Sequence, residues 1–225
     1  MTRVKICGIS DIESAIAASQ AGTDYLGMVF ASSRRQVSPE KALQIVEAVQ
    51  QLDSHPQVVG VFVNQPAAEV NQIANYCKLD WVQLSGDESW QYCKNIKTPI
   101  IKVFHIAPDT KQAEVAADIW KGYSLIPSNQ LICLLDSNVG GAYGGTGTTF
   151  NWQVAKAVSE KFSVMIAGGL TPDNVGQLIQ LTNPWAVDVS SGVETNGKKD
   201  ATKMKAFIEA VRRLDLERVG GGHRD

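Results

Sequence analysis

The chain is short of everything that metal, disulfide and membrane chemistry draw on. Its 225 residues include only three histidines and four cysteines. Cys7, Cys77, Cys93 and Cys133 form no Cys-x-x-Cys pair and share no ligand-like spacing with histidine. No bound metal is therefore expected, and the thiols read as reduced, as in the cytosol. No apolar run approaches the roughly 18 residues that a membrane-spanning helix needs. The start, Met1-Thr2-Arg3-Val4-Lys5, puts charge into the first strand and shows no apolar stretch of a secretory signal. A net charge of -2 leaves no footprint for nucleic acid or for an anionic membrane. No Pro/Ser-rich linker or block of like charge divides the chain, so one well-buried core is within its means. No Gly-x-Gly-x-x-Gly follows the first strand, where open dinucleotide-binding sheets commonly carry one. The expectation is a cytoplasmic protein.

What the chain does have is a regular alternation. Short apolar runs, expected as strands, fall at Val4–Cys7, Tyr25–Phe30, Val58–Val63, Trp81–Leu84, Ile100–Phe104, Leu131–Leu135, Phe162–Ile166 and Ala186–Val189. Segments of period 3.6 lie between them. Their openings carry helix-start chemistry: Ser10-Asp11, Ser38-Pro39-Glu40, Gln65-Pro66, Gly86-Asp87-Glu88, Pro108-Asp109 and Thr171-Pro172-Asp173. A final helix over about residues 201 to 216 sets Met204, Phe207, Ile208, Val211 and Leu214 on one stripe. Eight strands alternating with helices predict an α/β fold: a single (β/α)8 TIM barrel with a closed, parallel eight-stranded sheet. It is expected over residues 1–217, with a flexible tail over 218–225.

In such barrels the chemistry sits where the strands end, so those ends are read in order. Strands 7 and 8 run into Ala167-Gly168-Gly169-Leu170 and Val189-Ser190-Ser191-Gly192-Val193. Glycine lets an anion approach bare backbone N–H groups closely, and this pair of turns falls where barrels hold phosphate. Strand 1 ends in Cys7-Gly8, a thiol that needs a local positive field to act as a base. Strand 6 ends in Asp136, either a buried acid or a cap for the glycine-rich loop over residues 138–149, which is long enough to fold over a ligand. Arg34 and Arg35 follow strand 2 as either a fork for an anion or solvated loop charges. His105 ends strand 5 as a packed residue or a ligand. Lys5 and Asp188 are charges out of place within strands that a closed barrel makes neighbours. They are expected to pair across the seam, the alternative being a Schiff-base lysine.

Together these motifs resemble the phosphoribosylanthranilate isomerase family of tryptophan biosynthesis, over nearly the whole chain. The resemblance rests on Val4-Lys5-Ile6-Cys7-Gly8-Ile9, Gly60-Val61-Phe62-Val63-Asn64, Val82-Gln83-Leu84 and Leu134-Leu135-Asp136. It continues through Gly144-Gly145-Thr146-Gly147, Ala167-Gly168-Gly169-Leu170-Thr171-Pro172-Asp173-Asn174-Val175 and Val187-Asp188-Val189-Ser190-Ser191-Gly192-Val193-Glu194. It implies an internal redox (Amadori) rearrangement of a small phosphorylated substrate without a cofactor, by a chain expected as a monomer with a homodimer open. By the same resemblance Asp136 is the general acid at the ribose ring oxygen and Cys7 the general base at C2′. Arg35 holds the anthranilate carboxylate, and Gly168, Gly169, Ser190, Ser191 and Gly192 cradle the phosphate. One departure stands out: the family usually reads Gln-Leu-His-Gly at strand 4, and this chain reads Gln83-Leu84-Ser85-Gly86. The rival readings are the related isomerase of histidine biosynthesis and a non-catalytic phospho-sugar-binding barrel. The histidine enzyme usually carries a second glycine-rich cradle after strand 3 and an aspartate where this chain has Cys7.

Overall fold

Runs of valine, isoleucine and leucine build eight short strands, each buried on both faces as parallel strands under helices must be. In the computed structural model, which describes residues 1–137 and 152–220, they are β1 (Arg3–Cys7), β2 (Tyr25–Val29), β3 (Gln57–Phe62), β4 (Trp81–Leu84), β5 (Ile100–Ile106), β6 (Leu131–Ser137), β7 (Val164–Ile166) and β8 (Ala186–Val189). They hydrogen-bond in chain order into a closed barrel. The seam is parallel and aligns Arg3 with Ala186, Val4 with Val187, Lys5 with Asp188 and Ile6 with Val189. Between the strands lie α1 (Ile12–Gln20), α2 (Pro39–Gln50), α3 (Ala67–Tyr76), α4 (Trp90–Cys93), α5 (Gln112–Leu125), α6 (Trp152–Ser159) and α7 (Val175–Thr182), and α8 (Ala201–Gly220) follows. None of the described helices is long and apolar enough to cross a membrane.

The helix starts obey local chemistry. Asp11 accepts from Ser14 N at 2.7 Å, and Ser38 caps α2 with Pro39 at the first helical position. Strand residues alternate between two cores. Those facing outward pack against the helices. Those facing inward, including Tyr25, Val59, Ile101, Ile132, Leu134 and Met165, fill the barrel so that it is no pore.

Several expectations need correction; α5 and α7, for instance, start at Gln112 and Val175, later than Pro108-Asp109 and Thr171-Pro172-Asp173 suggested. The fourth helix does not open at Gly86-Asp87-Glu88. The Glu88 carboxylate turns inward instead, accepting from Asn64 N at 2.8 Å and Gly86 N at 2.9 Å, with Lys102 Nζ at 3.3 Å. The helix then starts behind Ser89 and lasts one turn. Strand β7 omits Phe162, which joins Trp120 and Tyr123 in an aromatic cluster on the helical side. Finally, α8 runs to Gly220, past the expected start of the tail at 218. Arg218 belongs to the helix and donates to Asn183 Oδ1 and the Ile179 carbonyl, both at 2.6 Å. Residues 221–225 and the 138–149 loop lie outside the described residues.

Candidate active site

Lys5 and Cys7 are two residues apart on β1, so both side chains point into the barrel. Cys7 pairs with Gly27 of β2. A Cβ on Gly27 would stand 2.9 Å from the sulfur, so the glycine is what leaves the thiol its space. Gly8 takes φ +82°, and the Arg35 side chain lies across it where a Cβ would stand. Below the thiol, Lys5 Nζ meets Asp188 Oδ2 at 2.9 Å, with Lys5 fully buried. The pair predicted from two misplaced charges is therefore formed. Burial alone would push the ammonium down, but Asp188 and Cys7 together hold its pKa above the ordinary value. The thiol is pushed up by burial, pulled back by Lys5 and raised again by Asp188.

On the far wall, β5 and β6 run two residues further than expected. That extra length carries His105 and Asp136 within the ladder, aligned with each other. Asp136 is half-buried. His105 Nε2 lies 2.9 Å from the Ser85 carbonyl. A carbonyl only accepts, so this nitrogen carries a proton.

The two glycine-rich turns form the third side. Gly168 and Gly169 sit at φ +101° and +63°, where side chains are strained. Asn174 pins this turn, accepting from Thr171 N and donating to the Gly169 carbonyl, both at 2.9 Å. A Cβ on Gly192 would run into the Leu170 carbonyl, so the turns touch through that glycine. The N–H groups of Gly168, Gly169, Ser191 and Gly192 make no backbone hydrogen bond among the described residues. Free N–H groups at left-handed glycines have the geometry that an anion cradle requires.

Arg35 does not stand free at the mouth. Its Nε and Nη2 donate to the two oxygens of Glu194 at 2.6 and 3.1 Å. Glu194 also takes Arg34 Nη2 at 2.8 Å and Lys199 Nζ at 2.9 Å, and Lys199 donates in turn to the Ser190 carbonyl at 2.8 Å. The Glu194 carboxyl would be raised by burial, but its bonds to Arg35 and Lys199 hold it below the ordinary range. Residue-by-residue reading missed Glu194 and Lys199. The available signal was the Arg34–Arg35 pair itself, two adjacent cations that need a counter-charge.

Cys7, Arg35, Asp136, Gly168, Gly169, Ser190, Ser191 and Gly192 all line one cavity of 490 Å³ at the C-terminal end of the barrel. Such a cavity suits a substrate of drug-like size. Its chemistry is a buried thiol beside an ammonium, a carboxyl across the mouth, a guanidinium at the rim and N–H donors without a backbone partner among the described residues.

Comparison with known proteins identifies the family. The family profile of N-(5'phosphoribosyl)anthranilate (PRA) isomerase matches residues 4–210. The chain is 46% identical to N-(5'-phosphoribosyl)anthranilate isomerase of Dehalococcoides mccartyi, over 97% of this chain and 100% of that protein. It is 44% identical to the enzyme of that name from Geobacter metallireducens, over 94% and 100%. Among solved structures, phosphoribosyl anthranilate isomerase of Thermotoga maritima superposes with a TM-score of 0.80 at 34% identity, over 95% of this chain and 100% of that one. A phosphoribosyl anthranilate isomerase in complex with reduced 1-(o-carboxyphenylamino)-1-deoxyribulose 5-phosphate superposes with a TM-score of 0.76 at 33% identity, again over 95% and 100%. The chain belongs to the N-(5'-phosphoribosyl)anthranilate isomerase family.

Proposed function

We propose that this chain converts N-(5'-phosphoribosyl)anthranilate to 1-(o-carboxyphenylamino)-1-deoxyribulose 5-phosphate, in tryptophan biosynthesis, by acid–base chemistry without a cofactor. The observation that carries the reading is a thiol and a carboxyl facing one cavity from different walls, with the double glycine turn between them. Asp136 gives its proton to the ribose ring oxygen. The C1′–O bond breaks as the anthranilate nitrogen supplies its lone pair, leaving an iminium at C1′. The Cys7 thiolate then takes the C2′ proton, and the C–H electron pair forms C1′=C2′ while the iminium pair returns to nitrogen. The resulting enol passes its hydroxyl proton to C1′ and becomes the ketone. Substrate and product are isomers, and one proton exchanged through solvent resets Cys7 and Asp136.

The remaining groups fix the substrate. Glu194 occupies one edge of the Arg35 guanidinium, and the other edge takes the anthranilate carboxylate. Gly168, Gly169, Ser190, Ser191 and Gly192 hold the phosphate. The catalytic unit is the single barrel domain, from β1 through α8, acting in the cytoplasm as a monomer. Its exposed large apolar side chains, such as Tyr76, Trp120 and Leu216, are scattered over separate helices, which fits a monomer.

The test is turnover of freshly generated phosphoribosylanthranilate, followed by loss of anthranilate-type fluorescence. The wild type is expected to be active, with Cys7→Ala and Asp136→Ala each slower by at least about a hundredfold, the scale of a lost general acid or base. Binding without conversion by the wild type would make the chain a phospho-sugar-binding barrel instead.

A further inference from the structure

Buried polar atoms are almost always hydrogen-bonded, so those left over call for an explanation. Five buried side-chain polar atoms lack a partner among the described residues, and three of them line the cavity: Gln65 Oε1, Gln83 Oε1 and Asp188 Oδ1. Gln65 sits at the half-buried rim and plays no further part. Gln83 and Asp188 are only 6% and 7% exposed. In each, the other end of the group is already committed. Asp188 Oδ2 holds Lys5, and the Gln83 amide nitrogen donates to Ser85 Oγ at 3.0 Å. Their positions are complementary. Asp188 is on β8, beside β1 and its thiol, whereas Gln83 is on β4, directly across the barrel.

We propose that Gln83 and Asp188 form a hydroxyl clamp, two fixed acceptors that take hydrogen bonds from the sugar chain between its carboxylate and phosphate ends. The inference rests on the substrate reading above and extends it to the middle of the molecule. A pentose is the ligand class that fits, because its hydroxyls are donors and the shelf offers acceptors. Asp188 takes the C2′ hydroxyl, since it stands next to the thiol that removes the proton from that carbon. Gln83, on the opposite wall, takes a hydroxyl further along the chain. Without such donors a buried carboxylate oxygen stays uncompensated, and that gives the site its discrimination.

Two ligands and two variants test this. Reductive amination of ribose 5-phosphate with anthranilate gives a stable open-chain analogue. The same reaction on 2-deoxyribose 5-phosphate gives its C2-deoxy twin, identical at both charged ends. Wild-type protein, assayed by fluorescence titration, is expected to bind the first about ten- to a hundredfold more tightly, as for a hydrogen bond to a charged group. The double variant Lys5→Met/Asp188→Leu strands no charge and is expected to lose that preference. Gln83→Met is expected to weaken both ligands equally, by about two- to tenfold. Equal wild-type affinity for the pair, or a preference that survives in the double variant, overturns the role of Asp188. Unchanged affinity in Gln83→Met overturns that of Gln83. If either fails while phosphoribosylanthranilate is still turned over, the clamp is wrong and the activity stands. If neither analogue binds and nothing is turned over, the substrate reading falls and takes the clamp with it.

Discussion

The two ends of the β1–β8 seam are only a few residues apart and are built to opposite rules. At the lower end the polar groups that join the first strand to α8 are paired with one another. Asp215 accepts from Thr2 N at 2.8 Å and Thr2 Oγ1 at 3.0 Å, using both oxygens. Asp24 accepts from Val4 N at 2.7 Å and Arg212 Nη2 at 2.9 Å, and Arg212 also reaches the Thr2 carbonyl at 2.6 Å. No buried side-chain nitrogen or oxygen of Thr2, Asp24, Arg212 or Asp215 lacks a partner among the described residues. It ties the first strand to the last helix and completes the barrel. At the upper end the same ladder delivers a thiol pushed up by burial, a carboxylate oxygen without a donor among the described residues and glycines in the left-handed region. The lower end uses its polar groups on the chain itself; under the function proposed above, the upper end keeps Cys7 and the second Asp188 oxygen for the substrate. The division follows the rule that barrels hold stability at one face and chemistry at the other.

The sharpest way to break this comparison is at the thiol. Burial is the largest influence on Cys7 and favours its neutral form, while Lys5 only partly opposes it. The thiolate fraction of the ligand-free protein should therefore be low at neutral pH and rise with pH. Alkylation of Cys7 by iodoacetamide, located by mass spectrometry, should run slower than that of glutathione at pH 8, because the thiolate is the reacting form. It should accelerate steadily into alkaline solution. A rate equal to glutathione at pH 7 would mean that Lys5 already offsets burial and that the upper end is as settled as the lower.

The lower end yields a stability effect in place of a chemical one. Asp215→Ala leaves the Thr2 N–H and hydroxyl without their acceptor in a site where Asp215 was 6% exposed. A loss of about 1–3 kcal/mol is expected, the scale of stranding buried donors. Urea unfolding should show an earlier midpoint, while turnover at 25 °C stays at the wild-type level. A fall in turnover with no change in midpoint would show that the two ends are coupled.

How much of this was legible depends on how local the physics is. The barrel follows from period and parity alone, and so does the Lys5–Asp188 pair, because two charges inside strands have only each other to meet. The turn after β7 was legible too, since Gly168 and Gly169 adopt a backbone that little else tolerates. Glu88 was not. Its sequence reads as a helix start, and only the fold reveals turn N–H groups competing for that carboxylate. The hold of Glu194 on Arg35 joins residues 159 apart, a distance over which no spacing rule operates. His105 remained open for the same reason: its anchor, the Ser85 carbonyl, is backbone and leaves no trace in residue identity.

The smallest effect separates two neighbours that the sequence could not rank. Arg34 and Arg35 both bind Glu194, but the Arg34 side chain is 61% exposed and that of Arg35 only 17%. An exposed ion pair gains little over water and is screened by salt, contributing about 0.2–1 kcal/mol. Glu194 keeps Arg35 and Lys199 when Arg34 is removed. Arg34→Ala should therefore shift KM for phosphoribosylanthranilate by less than about threefold, with the difference vanishing in 0.5 M salt. Arg35→Ala removes the guanidinium that faces the cavity, and its effect should survive the same salt. If the two variants respond alike, the mouth is a diffuse positive field, and the pairing geometry around Glu194 does not set the orientation of Arg35.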